Sequence, residues 1–179
     1  MLATIAIIIV ILIIAILAYA ATRPNSFRIE RSTSIKAAPA TVYALIEDFH
    51  RWSAWSPWEK LDPALNRSFS GSQSGKGAIY EWQGNKKVGK GRMEIKEAIM
   101  PSRLNIQLDF FQPFEAHNTA EFTLTPRGDS TDVTWAMFGP SPFIAKLMGL
   151  AMNMDKMVGK DFEKGLAAMK AEAEQRLLP

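Results

Sequence analysis

"RLNIQLDF" (Arg103–Phe110) alternates without a fault: Leu104, Ile106, Leu108 and Phe110 face one way, and Asn105, Gln107 and Asp109 the other. A period of two over eight residues is the signature of a strand buried on one face. One strand cannot close a core, so its neighbours decide the fold. Upstream, "GAIYEWQ" (Gly77–Gln83) places Ala78, Tyr80 and Trp82 on one face. "GRMEIKEAI" (Gly91–Ile99) sets Met93 and Ile95 against Arg92, Glu94 and Lys96. Downstream, "NTAEFTLT" and "STDVTWAMF" continue the pattern through Ala120, Phe122 and Leu124, then Val133, Trp135 and Met137. The segments between them ("GNKK", "PS", "PRGDS") carry turn chemistry. Successive strands joined by short turns form an antiparallel meander with one buried face.

Other periods flank the meander. "SFRIERSTSIKA" (Ser26–Ala37) has strand spacing, and "APATVYALIEDF" (Ala38–Phe49) reads as a helix with Pro39 in its first turn and an apolar face of Val42, Leu45, Ile46 and Phe49. After "GPSP", apolar residues from Leu147 through Met154, Phe162 and Met169 to Ala173 recur at three- or four-residue steps, which predicts one long C-terminal helix. Strand, helix, meander and long helix have one economical packing, in which the sheet curls and its apolar face grips the last helix. The fold class is therefore α+β: a curled antiparallel sheet gripping a long C-terminal helix.

The chain of 179 residues opens with "MLATIAIIIVILIIAILAYAATRP", uncharged from Met1 to Thr22. About 20 apolar residues at a helical rise of about 1.5 Å span the roughly 30 Å of a bilayer core. A cleavable signal peptide is the rival reading, since Ala18, Tyr19 and Ala20 form a small-x-small site. Against it, no Lys or Arg precedes the run, and the run exceeds the roughly 7–15 apolar residues of a typical signal. The reading is one N-terminal transmembrane anchor (1–22), a short linker (23–26) and one domain (27–179). Arg23, Arg28 and Arg31 follow the run against only Glu30, which places the domain in the cytoplasm. The chain has no cysteine, which excludes disulfides and thiolate metal sites. Its net charge of +3 is mild, and no nucleic-acid partner is expected.

Three stretches, "IKAAPATVYALIEDFHRWSAWSPW", "GSQSGKGAIYEWQGNKKVGKGRMEI" and "VGKDFEKGLAAMK", resemble the START-like or SRPBCC superfamily, in its polyketide cyclase/dehydrase-like branch. The resemblance covers about Phe27 to the C-terminus and implies the helix-grip fold. It implies no single reaction, because members include lipid carriers, cyclases, co-chaperone-like activators and proteins of unknown role.

Little in the sequence points to catalysis. "GNKKVGKG" nearly spells a phosphate-binding loop, but Gly91 stands where a Ser or Thr should ligate Mg²⁺ and a strand follows where a helix is required. It reads as a hairpin with Lys86, Lys87 and Lys90 at its tip, each worth about 1 kcal/mol of attraction if anionic lipid lies nearby. His50 and His117 lie apart, without acidic neighbours at ligand spacing, so no metal is expected. Glu94, Asp109, Glu121 and Asp132 fall on outward positions. Glu97, on the Met93–Ile95 face near a strand end, is the one inward acid to propose, although a place on the solvated rim accounts for it better. The inward set is otherwise apolar, with Tyr80 and Asn118 as polar exceptions.

Trp52, Trp55 and Trp58, in "HRWSAWSPWEK", recur every third residue and read as a lid that plugs the core. The residues expected to wall a cavity are Tyr80, Trp82, Phe110, Asn118, Trp135 and Met137, with Met148 and Met152 as adaptable lining. The expectation is a membrane-tethered START-like domain, without cofactor, that binds a hydrophobic small molecule. The alternatives are a cyclase or hydratase, with Tyr80, Asn118 or Glu97 moving a proton, and a protein-interaction module that regulates a membrane partner.

Overall fold

The structure, a computed structural model, describes residues 1–175; residues 176–179, which the sequence reading includes in the domain, lie outside the described residues. Helix α1 (Leu2–Thr22) leads into strand β1 (Ser26–Ile35), then α2 (Pro39–Ile46) and the four-residue α3 (Trp52–Trp55), which lies between 3₁₀ turns at Phe49–Arg51 and Pro57–Lys60. The meander follows: β2 (Asn66–Gly71), β3 (Ala78–Gln83), β4 (Lys90–Ile99), β5 (Arg103–Gln112), β6 (Ala116–Arg127) and β7 (Ser130–Pro140). Helices α4 (Phe143–Ala151) and α5 (Met154–Gln175) complete the chain. The seven strands form one antiparallel sheet in the order β1-β7-β6-β5-β4-β3-β2. The sheet places α5 against its inner face, which is the helix-grip arrangement.

The period-two segments face as the sequence indicates. Leu104, Ile106 and Leu108, then Ala120, Phe122 and Leu124, then Val133, Trp135 and Met137 are all buried. Helix α5 lays Phe162 flat on Trp135, with ring centroids 4.2 Å apart and planes 6° from parallel. At the sheet edge, Arg31 of β1 reaches up to pair with Asp155 at 3.0 Å and Glu163 at 2.9 Å, both on α5.

The tryptophan stretch does more than plug the core. Trp52 and Trp55 are buried, and their indole N–H groups donate to the carbonyls of Ile46 (3.1 Å) and Leu45 (2.9 Å). Both acceptors lie in the last turn of α2, where helical carbonyls have no partner within the helix. The two rings also pack edge-on against Phe122 and Trp135. One pair of side chains thus caps α2, turns the chain and fills the core.

Three expectations need correction. The C-terminal helix is two helices: Met152 is extended (φ −126°, ψ 125°), and Asn153 accepts the Lys156 N–H at 2.8 Å, capping the start of α5. Glu97 does not face inward. A bulge at Lys96 pairs Ile95 with Ile106 but Glu97 with Asn105, so the extra residue turns Glu97 to the outer face. There Asn105 donates to it at 2.8 Å and Arg103 pairs with it at 3.0 Å. The histidines, finally, do have acidic partners. His50 lies 2.8 Å from Asp48, and His117 lies 2.8 Å from Asp109, which is outward-facing but buried. The Asp109 hydrogen bond raises the His117 pKa above its ordinary value. Among the described residues, no group of three or more such side chains is placed to hold a metal ion.

Gly165 lets α5 approach the sheet. A Cβ there would lie 2.8 Å from Trp135 Cζ3 and 3.1 Å from Pro57 Cδ, whereas one on Gly149 of α4 would meet nothing within 4 Å. Alanine gains about 1 kcal/mol over glycine in a helix, and overpacking costs about 1–3 kcal/mol. Gly165→Ala should therefore lower stability in urea denaturation, and Gly149→Ala should raise it or leave it unchanged.

Candidate functional site

Between the inner sheet face and α5 lies a cavity of about 180 Å³. Its sheet wall comes from Tyr80 and Trp82 of β3, Met93 of β4, Leu108 and Phe110 of β5, Ala120 of β6, and Trp135 and Met137 of β7. Val158 and Phe162 of α5 face them, and Trp52, Trp58, Glu59 and Leu65 close the side nearest α3. Five residues picked from sequence therefore meet around one space: Tyr80, Trp82, Phe110, Trp135 and Met137.

Three others do not. Asn118 keeps its place on the inner register opposite Leu108, but its amide oxygen lies over Gly139 on β7 and does not line the cavity. Met148 and Met152 are exposed, Met148 on α4 and Met152 immediately after it, because the helix break separates them from α5. The division of the tryptophans also shifts. Trp82 and Trp135 line the cavity, but so do Trp52 and Trp58, leaving Trp55 as the pure core residue. Trp58 sets its edge against both Trp135 and Phe162, at 5.5 and 6.1 Å.

Small residues set the cavity's shape. Gly91 lies beneath the Trp82 ring: a Cβ there would fall 2.3 Å from Trp82 Cζ2 and 2.5 Å from the Asp109 carbonyl oxygen. The residue that spoils the phosphate-loop motif is thus the one that lets an indole lie flat in the wall. Trp82 fixes its own orientation by donating to the Val88 carbonyl at 3.2 Å.

The charged feature of the cavity is one that sequence reasoning missed. Glu59, in the 3₁₀ turn after Pro57, has only 7% of its side chain exposed and accepts the Tyr80 hydroxyl at 2.5 Å. Its second oxygen pairs with Arg67 Nε of β2 at 2.6 Å. Burial, then the bond to Glu59, drives the Tyr80 pKa well above the ordinary tyrosine value, so the phenol stays protonated and donates. A carboxylate with one donor on each oxygen retains lone pairs and can accept a further hydrogen bond from an occupant. The cavity is thus an apolar chamber with one anionic acceptor. "PWEK" carried a partial signal, an acid beside a tryptophan in a proline-broken turn, but without periodicity nothing told which way Glu59 faced.

Removing the charge should be felt. Hydrogen bonds to charged groups are worth about 1.5–3 kcal/mol, less where one partner is solvated as Arg67 is. Glu59→Gln should therefore cost about 1–2 kcal/mol in urea denaturation. Arg67→Gln added to it should cost less than the two single changes summed, as for any coupled pair.

The sequence profile of the family described as "polyketide cyclase / dehydrase and lipid transport" matches residues 26–174. No curated protein matches the chain significantly. Among solved structures it is similar to a protein from Thermobifida fusca determined by NMR, at 20% identity and a TM-score of 0.62 over 83% of this chain and 93% of that one. A protein of unknown function from Staphylococcus aureus matches at 14% identity and a TM-score of 0.62, over 85% and 96% of the two chains. The major latex-like protein 151 of Panax ginseng matches at 10% identity and a TM-score of 0.59, over 84% and 99%. At these identities the structural likeness speaks to the fold.

Proposed function

The chain belongs to the polyketide cyclase / dehydrase and lipid transport family, and from that premise we propose that it is a membrane-anchored binding domain for an amphipathic small molecule. The observation that carries the reading is the cavity's composition: aromatic and aliphatic walls around the single carboxylate of Glu59. An apolar body gains about 25 cal/mol for each Å² it removes from water, and a hydroxyl or amine on it satisfies Glu59. Size narrows the class. A cavity of about 180 Å³ is close to the ~150 Å³ at which an apolar void stays dry and accepts benzene, and well below the ~300 Å³ of a typical drug-sized site. It takes a ring system or a short length of chain, not a whole phospholipid. Helix α1, 21 residues long with an 18-residue stretch of mean hydropathy 3.2, is the anchor, about 31 Å long. The arginines that follow it favour a cytoplasmic domain.

Glu59 also supports a second reading. A cyclase or hydratase needs an inward acid or base beside the void, and Glu59 with Tyr80 supplies that pair. Against proton transfer, burial and the bond to Glu59 hold the Tyr80 phenol in its protonated form.

Native mass spectrometry of the detergent-purified full chain tests the binding reading by showing a co-purified amphiphile, and titration with a medium-chain alcohol should change tryptophan fluorescence saturably. Ala120→Phe, which projects a ring into the cavity, should abolish saturation while the protein remains folded by circular dichroism. An Ala120→Phe protein that binds as well as the wild type, or a wild type that never saturates, would refute it.

A further inference from the structure

The strand register assigns the two ends of the sheet. Ser26, at the start of β1, pairs with Pro140, at the end of β7. Thr119 near the start of β6 lies opposite Phe138, Phe110 opposite Ala116, and Lys90 opposite both Gln112 and Gln83. The β3–β4 turn, the β5–β6 turn, the end of β7 and the exit from α1 therefore share one end. The β2–β3 and β6–β7 turns share the other.

That first end has an unusual surface. Helix α4 exposes Phe143, Ile144, Met148 and Leu150; Phe111 at the end of β5 and Phe114 on the β5–β6 turn are also exposed, the latter at 67%. Lys86 and Lys87 on the β3–β4 turn and Lys90 at the start of β4, opposite Gln112, are exposed beside them. The far end carries Ser72, Gln73, Ser74 and Lys76 on the β2–β3 turn, Gly128 and Asp129 on the β6–β7 turn, and Ile99 and Met100 as exposed apolar side chains at the β4–β5 turn, against the six of the first end. Of the half-exposed members of the cavity wall, Val88, Phe110 and Val158 lie beside the β3–β4 turn, the β5–β6 turn and the start of α5. The others, Trp58 and Glu59, lie on the segment that Asp62 ties to the β3–β4 turn by accepting the Asn85 N–H at 2.7 Å, so the cavity opens toward the apolar end.

What covers this surface follows from its attachment. Only Arg23, Pro24 and Asn25 separate α1 from β1, about 10 Å of extended chain. Asn25 is tied to α4, accepting the Ser141 N–H at 2.7 Å and Lys146 Nζ at 2.6 Å, and α1 packs against α4. The polar zone of one bilayer leaflet is roughly 5–8 Å deep. A helix held that close to the end of a transmembrane segment lies within that zone. Apolar side chains with interspersed lysines suit that layer.

We propose that the α4 end of the domain lies in the surface of the bilayer that α1 crosses, with α4 and the Phe111–Phe114 turn inserted among the lipids, so that the cavity exchanges its occupant with the membrane rather than with water. This rests on α1 spanning a bilayer. The occupant of the surface is lipid, not a second copy of the chain or another protein.

The native chain has no cysteine, so single cysteines report unambiguously. The full-length protein would be reconstituted in vesicles of phosphatidylcholine with a minor fraction of phosphatidylglycerol. Nitroxide labels would be placed at Ile11→Cys, Met148→Cys, Phe114→Cys and Ser72→Cys. Power saturation then compares collision with oxygen, which concentrates in lipid, and with a water-soluble nickel chelate. Labels 148 and 114 should favour oxygen, and label 72 should favour nickel. With label 11 in lipid, labels 148 and 114 as aqueous as 72 overturn the proposal, and labels shielded from both reagents overturn it in favour of a protein contact. Label 11 outside lipid instead removes the anchor on which it rests.

Discussion

Two indole N–H groups hold the arrangement in place. The carbonyls of Leu45 and Ile46 end helix α2 facing the protein interior, and there they would be costly without donors. Trp52 and Trp55 supply the donors and, in the same step, the apolar bulk that seals the core against Phe122 and Trp135. Because both rings are fixed at each end, the chain between them can only turn one way. Pro57 then starts the 3₁₀ turn that delivers Trp58 and Glu59 to the cavity. A carboxylate on an irregular segment is normally poorly located. Here its backbone is held by two buried rings and its side chain by Arg67 and Tyr80.

The inner face is filled unevenly. Toward α2 and the centre of α5, Tyr43, Phe122, Leu166 and Met169 pack without exposure, and Phe162 stacks on Trp135. Toward β3, β4 and β5 the wall thins to Ala120, with Gly91 recessed beneath Trp82, and the cavity remains. Large rings set against absent side chains leave a space with rigid sides. Interiors are otherwise packed to crystal density, so a void of this size persists because the surrounding rings cannot collapse into it.

The meander was readable because its residues obey a period: Leu104 to Phe110 and Val133 to Met137 could face only one way. Where a single residue breaks the count, the sequence misleads. Lys96 is indistinguishable from any outward lysine, yet as a bulge it reverses the facing of everything after it, and Glu97 moved to the outer face for that reason. The division between α4 and α5 was equally hidden. Apolar residues continue across Met152 and Asn153, and only Asn153, a good capping residue, marked the boundary. The wall residues legible in advance lie on strands. Glu59 and Leu65 lie where no repeat exists, and their meeting with Tyr80 depends on contacts between segments far apart in sequence.

The three-residue connection between α1 and β1 also limits what kind of carrier this can be. A soluble lipid-transfer protein works by desorbing, diffusing and docking elsewhere. With α1 in a bilayer, a link of about 10 Å permits no such excursion, since its reach is less than the thickness of the domain it holds. Any hand-over would then be two-dimensional: the occupant arrives from the same leaflet, or an acceptor protein collides in the plane of the membrane. Such a domain serves as a stationary station, and its throughput is governed by lateral encounter rather than by flight through the aqueous phase.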